Sequence, residues 1–252
     1  MACAVRGLWL HVAEREHWLA GRVAVITGAS RGIGRATAEA IAREGAHAIV
    51  AARGVAGLDA TVASIRDSGG QATAVPTDVS DAGAVNELFS IANDIGPPAA
   101  LVCAAATLER EPFDEISLAS WEYTMSVNLT GVFNCCRAAF TMMRNADGGR
   151  IVNIASLSGV YATEKFPGLA AYNTTKYGVI GLTEAIAVEG KSCGVTAVSL
   201  SPGAVDTDML RRANPSLRAG VTAAQVAAMI VTLLDSPFSI ASGANVPLFS
   251  NV

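Results

Sequence analysis

Tyr172 and Lys176 stand four residues apart in a stretch with helical spacing, so their side chains share one face. A phenol near its reference pKa of about 10 is a poor base at neutral pH. A fixed ammonium beside it favours phenolate and lowers that pKa, which suits the pair to moving a proton at a carbonyl or hydroxyl oxygen. Ser156, at the end of a predicted strand, can hydrogen-bond the same oxygen and hold it in place. Each residue also has a plain alternative. A Tyr–Lys pair at this spacing can be an amphipathic packing contact, and a serine after a strand is often a helix cap.

A second cluster lies near the start of the chain, where a β-branched run enters Thr27-Gly-Ala-Ser-Arg-Gly-Ile-Gly34. Gly28 permits a tight turn, Gly32 lets a pyrophosphate approach the backbone, and Gly34 lets a helix pack closely on a sheet. The free amides of the turn, including those of Ser30 and Ile33, and the positive end of the new helix face the phosphates. Such a turn after a first strand and before a helix implies a dinucleotide. An oxidised nicotinamide would add a second positive charge beside Tyr172. NAD sites place an acid at the end of the next strand to meet the ribose hydroxyls. This chain has Ala51-Ala52-Arg53 there, with no carboxylate before Asp59. Arg53 and Arg31 could receive a phosphate dianion instead, which points to NADP(H), or both could be solvated surface.

The elements that must position these groups alternate. Strands are predicted at Arg22–Thr27, Ala46–Ala52, Gln71–Pro76, Ala99–Ala104, Arg150–Ala155, Val195–Leu200 and Ser239–Val246. Helices are predicted at Ile33–Glu44, Leu58–Asp67, Asp81–Asp94, Ser117–Met143, Ala170–Lys191 and Ala223–Leu234. That order means right-handed crossovers and an α/β fold, a doubly wound, mostly parallel sheet with helices on both faces. Residues 21–252 read as a single domain. Residues 1–20 read as an N-terminal extension, a helical turn carrying Trp9 and Trp18.

Bulk properties narrow the partners. Hydrophobic residues make up 51% and charged ones 16%, more apolar than an ordinary soluble domain. Strands buried on both faces explain part of this, and a subunit interface would explain the rest. The net charge of −4 gives no reason to expect nucleic acid or an anionic membrane. No apolar run reaches the ~20 residues that cross a bilayer. Five scattered cysteines suit free thiols in a reducing, cytoplasmic setting, and the histidines and cysteines show no metal-ligand spacing. Asn128-Leu-Thr and Asn173-Thr-Thr match a glycosylation acceptor, which matters only in a secreted chain.

With the glycine turn, Asp78, Asn128, Ser156, Tyr-Asn-Thr-Thr-Lys and Pro202-Gly203 in this order, the chain resembles the short-chain dehydrogenase/reductase family, its 3-oxoacyl-[acyl-carrier-protein] reductase-like branch included. The likeness runs from about Leu19 to about Val246. It implies that Lys176 also holds the nicotinamide ribose and that Asn128, in the long helix, anchors a water linking Lys176 to solvent. It further implies that Asp78 and Val79 contact the adenine, and that the backbone of Ala104 and Ala105 touches the cofactor. Pro202, Gly203, Val205 and Thr207 are expected to line the nicotinamide end. A homo-oligomer, tetramer or dimer, packing through the helices around Ser117–Met143 and Ala170–Lys191, is implied as well.

Departures from the family pattern carry expectations of their own. Cys103-Ala-Ala-Ala106 stands where relatives carry Asn-Asn-Ala-Gly. Side-chain bracing of the sheet is expected to be lost there, Ala106 to resist positive φ, and Cys103 to be an apolar filler rather than a reactive thiol. Val198 replaces an asparagine, and extra chain lies in Tyr161–Gly168, where it shapes substrate fit. The substrate faces Thr107–Glu115, Leu157–Ala171 and Ala204–Gly220, the last a short lid carrying Arg211 and Arg212. Those arginines either meet an anionic group such as a coenzyme A phosphate or are solvated. Asn134 and Val188 occupy positions where carrier-dependent relatives hold basic residues, which weighs against a carrier-linked substrate. The expected activity is interconversion of a ketone and a secondary alcohol. Reduction of an acyl thioester, or a cofactor-binding scaffold without turnover, are the alternatives.

Overall fold

Val23–Thr27 (β1) is buried along its whole length, as a short β-branched run must be when helices cover both faces of its sheet. The computed structural model describes residues 18–146, 148–214, 216–235 and 240–249. After β1 come Gly32–Arg43 (α1), His47–Ala52 (β2), Val55–Asp67 (α2), Gln71–Pro76 (β3), Ala82–Ile95 (α3) and Pro98–Cys103 (β4). The second half holds Leu118–Met125 (α4), Gly131–Asn145 (α5), Gly149–Ile154 (β5), Ala170–Gly190 (α6) and Val195–Pro202 (β6). Val205–Asp206 (β7), Asp208–Ala213 (α7), Val221–Thr222 (β8), Ala223–Leu233 (α8) and Asn245–Leu248 (β9) complete the order.

Seven strands form one sheet in the order β3-β2-β1-β4-β5-β6-β9, every neighbouring pair parallel. This is the doubly wound single-domain fold, with its topological switch between β1 and β4. Alternate residues of each strand serve opposite faces. Ile26 and Val50 pack with Ile41 of α1, Leu58 of α2 and Ile230 of α8. Val25 and Ile49 pack with Phe89 of α3, Met143 of α5 and Val179 of α6.

Two predicted elements differ from the structure. The single long helix over Ser117–Met143 is α4 and α5 joined by a π-helical turn, Ser126–Thr130. One extra residue in the helix re-aims Asn128 toward the segment after β4, the kind of place where π turns occur. The final strand, expected over Ser239–Val246, lies at Asn245–Leu248, and Ser239 is outside the described residues. Residues 240–244 make a turn, with Gly243 at φ +88 donating to the Ala197 carbonyl, and a left-handed residue cannot continue a strand.

Of the N-terminal extension, residues 1–17, Trp9 among them, lie outside the described residues. Trp18 begins a turn, with its ring beneath the Arg150 guanidinium at 3.6 Å and near that of Arg22 at 4.8 Å. Leu19 is buried in the core. Asn128 is fully buried, so in the folded chain its acceptor pattern is closed to any glycan.

The start of α1 lies directly on the turn that precedes it. A Cβ added at Gly34 would overlap the Gly28 carbonyl. Gly34→Ala is therefore expected to cost about 1–3 kcal/mol. At roughly 2–4 °C per kcal/mol for a chain of this size, thermal unfolding followed by circular dichroism will register the loss. An unchanged melting temperature would mean that α1 can move off β1 freely.

Candidate active site

Lys176 lies one helical turn beyond Tyr172 near the start of α6, and only 3% of its surface is exposed. Its Nζ donates to the carbonyl of Ile154, the last residue of β5, at 2.8 Å. Burial brings its pKa down to about 8, and the Cys103 thiol opposes that slightly. Nζ stands 5.5 Å from the centre of the Tyr172 ring. The ammonium was expected to draw the phenol toward phenolate. Burial instead pushes the Tyr172 pKa up, and the Ser156 hydroxyl pulls the other way. The reason is that Lys176 is committed to a backbone carbonyl while the phenol sits in a poorly hydrated wall. In this state Tyr172 holds its proton at neutral pH.

Ser156 takes the capping role that its place after a strand allowed. Its Oγ accepts from the Ser158 amide at 3.1 Å, capping a short 3₁₀ turn, Leu157–Gly159. It also reaches the Tyr172 hydroxyl. That turn packs so closely on α6 that a Cβ at Gly159 would overlap the Lys176 backbone.

Asn128 reaches this cluster from behind. Its Oδ1 accepts from the Thr107 amide at 2.7 Å and its Nδ2 donates to the Thr107 carbonyl at 2.8 Å. A longer contact of 3.4 Å runs from Nδ2 to Thr175 Oγ1, which in turn donates to the Tyr172 carbonyl at 2.7 Å. The side chain thus ties the segment after β4 to the helix that carries Tyr172.

The glycine turn needs its glycines. Gly28 and Gly32 have φ of +67 and +55. A Cβ on Gly28 would lie 2.6 Å from the Ala105 amide nitrogen. Thr27 Oγ1 accepts from the amides of Ala104 and Ala105 at 3.2 and 3.3 Å. The bracing expected to be missing from Cys103–Ala106 is therefore supplied from β1. Among the described residues Ala162 alone, outside glycine, has positive φ, so Ala106 is unstrained. Hydrogen bonding with Cys135 and Cys136, and then burial, hold the Cys103 thiol well above its ordinary pKa. It is a filler in a buried strand rather than a nucleophile.

Farther along, Asp78 Oδ1 accepts from the Ser80 hydroxyl at 2.7 Å and amide at 3.0 Å, and that hydroxyl bond chiefly lowers its pKa. The Val79 carbonyl accepts from Asn134 Nδ2 at 3.1 Å. Asn134 is thus buried behind the site rather than displayed on the outer face of its helix, whereas Val188 is exposed. Arg31 stands extended at the start of α1. Arg53 donates to the Tyr123 hydroxyl at 3.0 Å, a partner seventy residues away that the sequence did not suggest.

One cavity of about 790 Å³ runs past most of these groups, near the upper end of ligand-site volumes. Arg31, Arg53 and Asp78 line it, as do the glycine turn from Gly28 to Gly34, Ala104, Ala105, Ser156, Tyr172 and Lys176, and then Pro202, Gly203, Val205 and Thr207. Asn128 stands behind the wall. A turn too tight for side chains, opening a helix and continuous with Tyr172, fits a dinucleotide.

Beyond Tyr172 the three expected substrate segments converge. Arg110 donates through Nε to the Pro167 carbonyl at 3.1 Å and through Nη1 to the Ala213 carbonyl at 3.0 Å, clasping all three together. No local signal marks Arg110. Thr27 could have been noticed as the hydroxyl that closes β1. Within the extra chain, Thr163 Oγ1 donates to the Leu157 carbonyl at 2.6 Å and Lys165 Nζ to the Val160 carbonyl at 2.7 Å. Arg211 is paired with Asp206 and Asp208 on the exposed surface of the lid. Among the described residues there is no cluster of three or more His, Cys, Asp or Glu able to hold a metal, and no helix long and apolar enough to cross a membrane.

Known proteins resemble this chain in sequence and in fold. A family model described as short chain dehydrogenase matches residues 22–218. A 3-oxoacyl-[acyl-carrier-protein] reductase from Synechocystis sp. is 38% identical over 198 residues, 78% of this chain and 79% of that protein. A D-threitol dehydrogenase from Mycolicibacterium smegmatis is 34% identical over 196 residues, 77% of this chain and 74% of that one. A crystal structure assigned as an NAD(P) dependent gluconate 5-dehydrogenase from Beutenbergia cavernae, with NADP bound at low occupancy, superposes with a TM-score of 0.84. Its identity is 32%, over 92% of this chain and 96% of that one.

The buried ammonium has a measurable signature. Lys176 titrates near 8 in the folded chain and at its ordinary 10.5 when unfolded. Between those values the unfolded chain binds more protons, so stability rises as pH climbs through the window. Without added ligand, the stability difference between wild type and Lys176→Met is expected to move in favour of wild type by at least ~1 kcal/mol between about pH 7.5 and 10. Urea unfolding at the two pH values measures it, and a difference flat with pH would contradict the burial effect.

Proposed function

The chain belongs to the short-chain dehydrogenase family, and from that premise we propose that it is an NADP(H)-dependent oxidoreductase interconverting a ketone and a secondary alcohol, with Tyr172 as its acid–base group. Family membership makes it an oxidoreductase that uses a nicotinamide cofactor and acts on alcohols or ketones. The observation that carries the finer reading is a proton-bearing, buried Tyr172 beside Lys176, facing a cavity continuous with the glycine turn.

In the reductive direction the carbonyl oxygen sits against Tyr172 and Ser156. The reduced nicotinamide, when bound, supplies the hydride to the carbon. Ser156 holds the oxygen, and Tyr172 gives it a proton as negative charge develops there. The phenolate left behind faces the Lys176 ammonium, which stabilises it. Lys176, with a pKa of about 8, is close to the working pH and can pass a proton on. Asn128 keeps Thr107 and α6 in step, and the relay through a water that the family resemblance implies belongs to this reading too.

Arg31 and Arg53, with no acid at the end of β2, favour the phosphorylated cofactor. Tyr123 steadies Arg53 for that contact. The NADP-bound Beutenbergia cavernae structure agrees in kind. The Synechocystis relative's activity raises the thioester alternative. Against it, one carrier-docking position is a buried asparagine and the other an exposed valine. Saturable turnover of a carrier-linked substrate at low micromolar concentration would overturn that exclusion. The scaffold alternative rested on Cys103–Ala106, and the Thr27 brace removes its support. Exposed Tyr123 and Phe133 on α4 and α5, with Tyr177 and Val188 on α6, support a homo-oligomer, dimer or tetramer, packed through those helices.

Tyr172→Phe is expected to lower kcat/KM by about 10²–10⁴-fold while fluorescence titration shows NADPH binding preserved. NADPH is expected to bind at least about tenfold more tightly than NADH, the worth of one charge-assisted contact. Tighter binding of NADH would remove the role given to Arg31 and Arg53.

A further inference from the structure

Past Tyr172 the cavity wall becomes apolar. Leu108, Phe166, Leu169, Met209, Leu210 and Leu217 line it, and all but Leu169 are only part-buried. These side chains come from three separate segments, which the Arg110 clasp holds together. They leave apolar surface that a ligand would cover.

Most of the polar side chains around them are engaged with the protein through at least one atom. Thr163 donates to the Leu157 and Val160 carbonyls, and Lys165 donates to the same two carbonyls and to Thr163. Arg110 spends Nε and one Nη1 proton on backbone carbonyls. Thr207 caps α7, Asn214 accepts from Ser216, and Asp208 pairs with Arg211. Ser158, two residues beyond Ser156, exposed Glu164 and the Asn214 amide NH2 are the cavity-lining exceptions. A polyol needs several hydrogen-bonding partners, and each one missing costs it specificity. Of the cations that line the cavity beyond Tyr172, part of the Arg110 fork alone is uncommitted, and Glu164 opposes it.

We propose that the substrate is an uncharged alicyclic or aryl ketone, or the matching secondary alcohol, several rings or branches in size, and not a sugar polyol or a charged thioester. This deepens the ketone–alcohol reading above and rests on it. The carbonyl lies at Tyr172 and Ser156, and the apolar body fills the space between Leu108, Phe166 and Leu210.

The test uses the full chain with NADPH and four probes: α-tetralone, D-fructose, acetoacetyl-coenzyme A and aminoacetone. Binding to the NADP complex is measured by calorimetry, and turnover by NADPH absorbance. α-Tetralone is expected to bind more tightly than the others and to show kcat/KM at least about 100-fold higher, the scale at which apolar pockets discriminate. Leu210→Asn and Leu108→Asn are each expected to raise KM for α-tetralone about tenfold or more, with kcat and NADPH affinity little changed. The two variants sit on different segments, so a folding defect in one leaves the other informative. Preference for fructose or the coenzyme A thioester would overturn the proposal, as would no α-tetralone binding. Preference for aminoacetone would overturn it in favour of recognition by Glu164. Tight α-tetralone binding without Tyr172-dependent turnover would uphold the ligand class while removing the catalytic reading.

Discussion

An ammonium group taken out of water must be met by fixed dipoles or lose its proton. Lys176 is met by one carbonyl, that of Ile154 at the end of β5, and much of the structure follows from keeping that contact. It sets where α6 crosses the sheet edge. It explains why Gly159 has no side chain, since the turn between β5 and α6 has to lie on the Lys176 backbone. Tyr172, one turn earlier, is then carried to the cavity wall beside Ser156. The ammonium stays near the phenol without pairing with it, so each group can exchange a proton at a pH set by its own burial.

A row of residues across the sheet shares a second constraint. Parallel register lines up Thr27, Cys103, Asn153, Ser199 and Asn245 across the sheet. Asn153 donates to Thr183 of α6 at 3.0 Å and accepts from the Cys136 thiol of α5. Ser199 donates to Asn245 at 2.9 Å. Side-chain bonds from this row tie β5 to α5 and α6 and β6 to β9, so one position can change without opening the sheet. Cys103 is the changed position, and its neighbour Thr27 takes up the amides that follow it. A departure that looks disabling in isolation is absorbed by the row.

Most of the framework was legible because it is local. The glycine turn, the alternation of strands and helices, and the four-residue step from Tyr172 to Lys176 each need only neighbouring residues to be recognised. What escaped detection depends on partners far along the chain. The π turn at Ser126–Thr130 exists because Asn128 must reach Thr107, and nothing in Ser-Val-Asn-Leu-Thr signals the extra residue. The raised pKa of Tyr172 follows from burial, whereas the sequence displayed only the nearby lysine. Arg53 finds Tyr123, Asn134 turns inward to Val79, and Arg110 gathers three loops. All are ordinary surface types by composition. The last strand was misplaced because Gly243 reads as a strand interruption only once its left-handed φ is known.

The order of strands also governs how the chain can assemble. β1, β2 and β3 pair with close neighbours in sequence, each joined by a single helix. The β1–β4 seam brings Thr27 beside Cys103, across a loop that includes two complete crossovers. Closing such a loop is entropically later than making the local pairs. During synthesis the glycine turn can therefore form on its own early sheet, but Gly28 gains its tight contact with Ala104–Ala105 only when β4 docks. The seam is at once the last long-range pairing of the first half of the chain and the floor of the cavity, so that floor is incomplete until β4 has docked on β1.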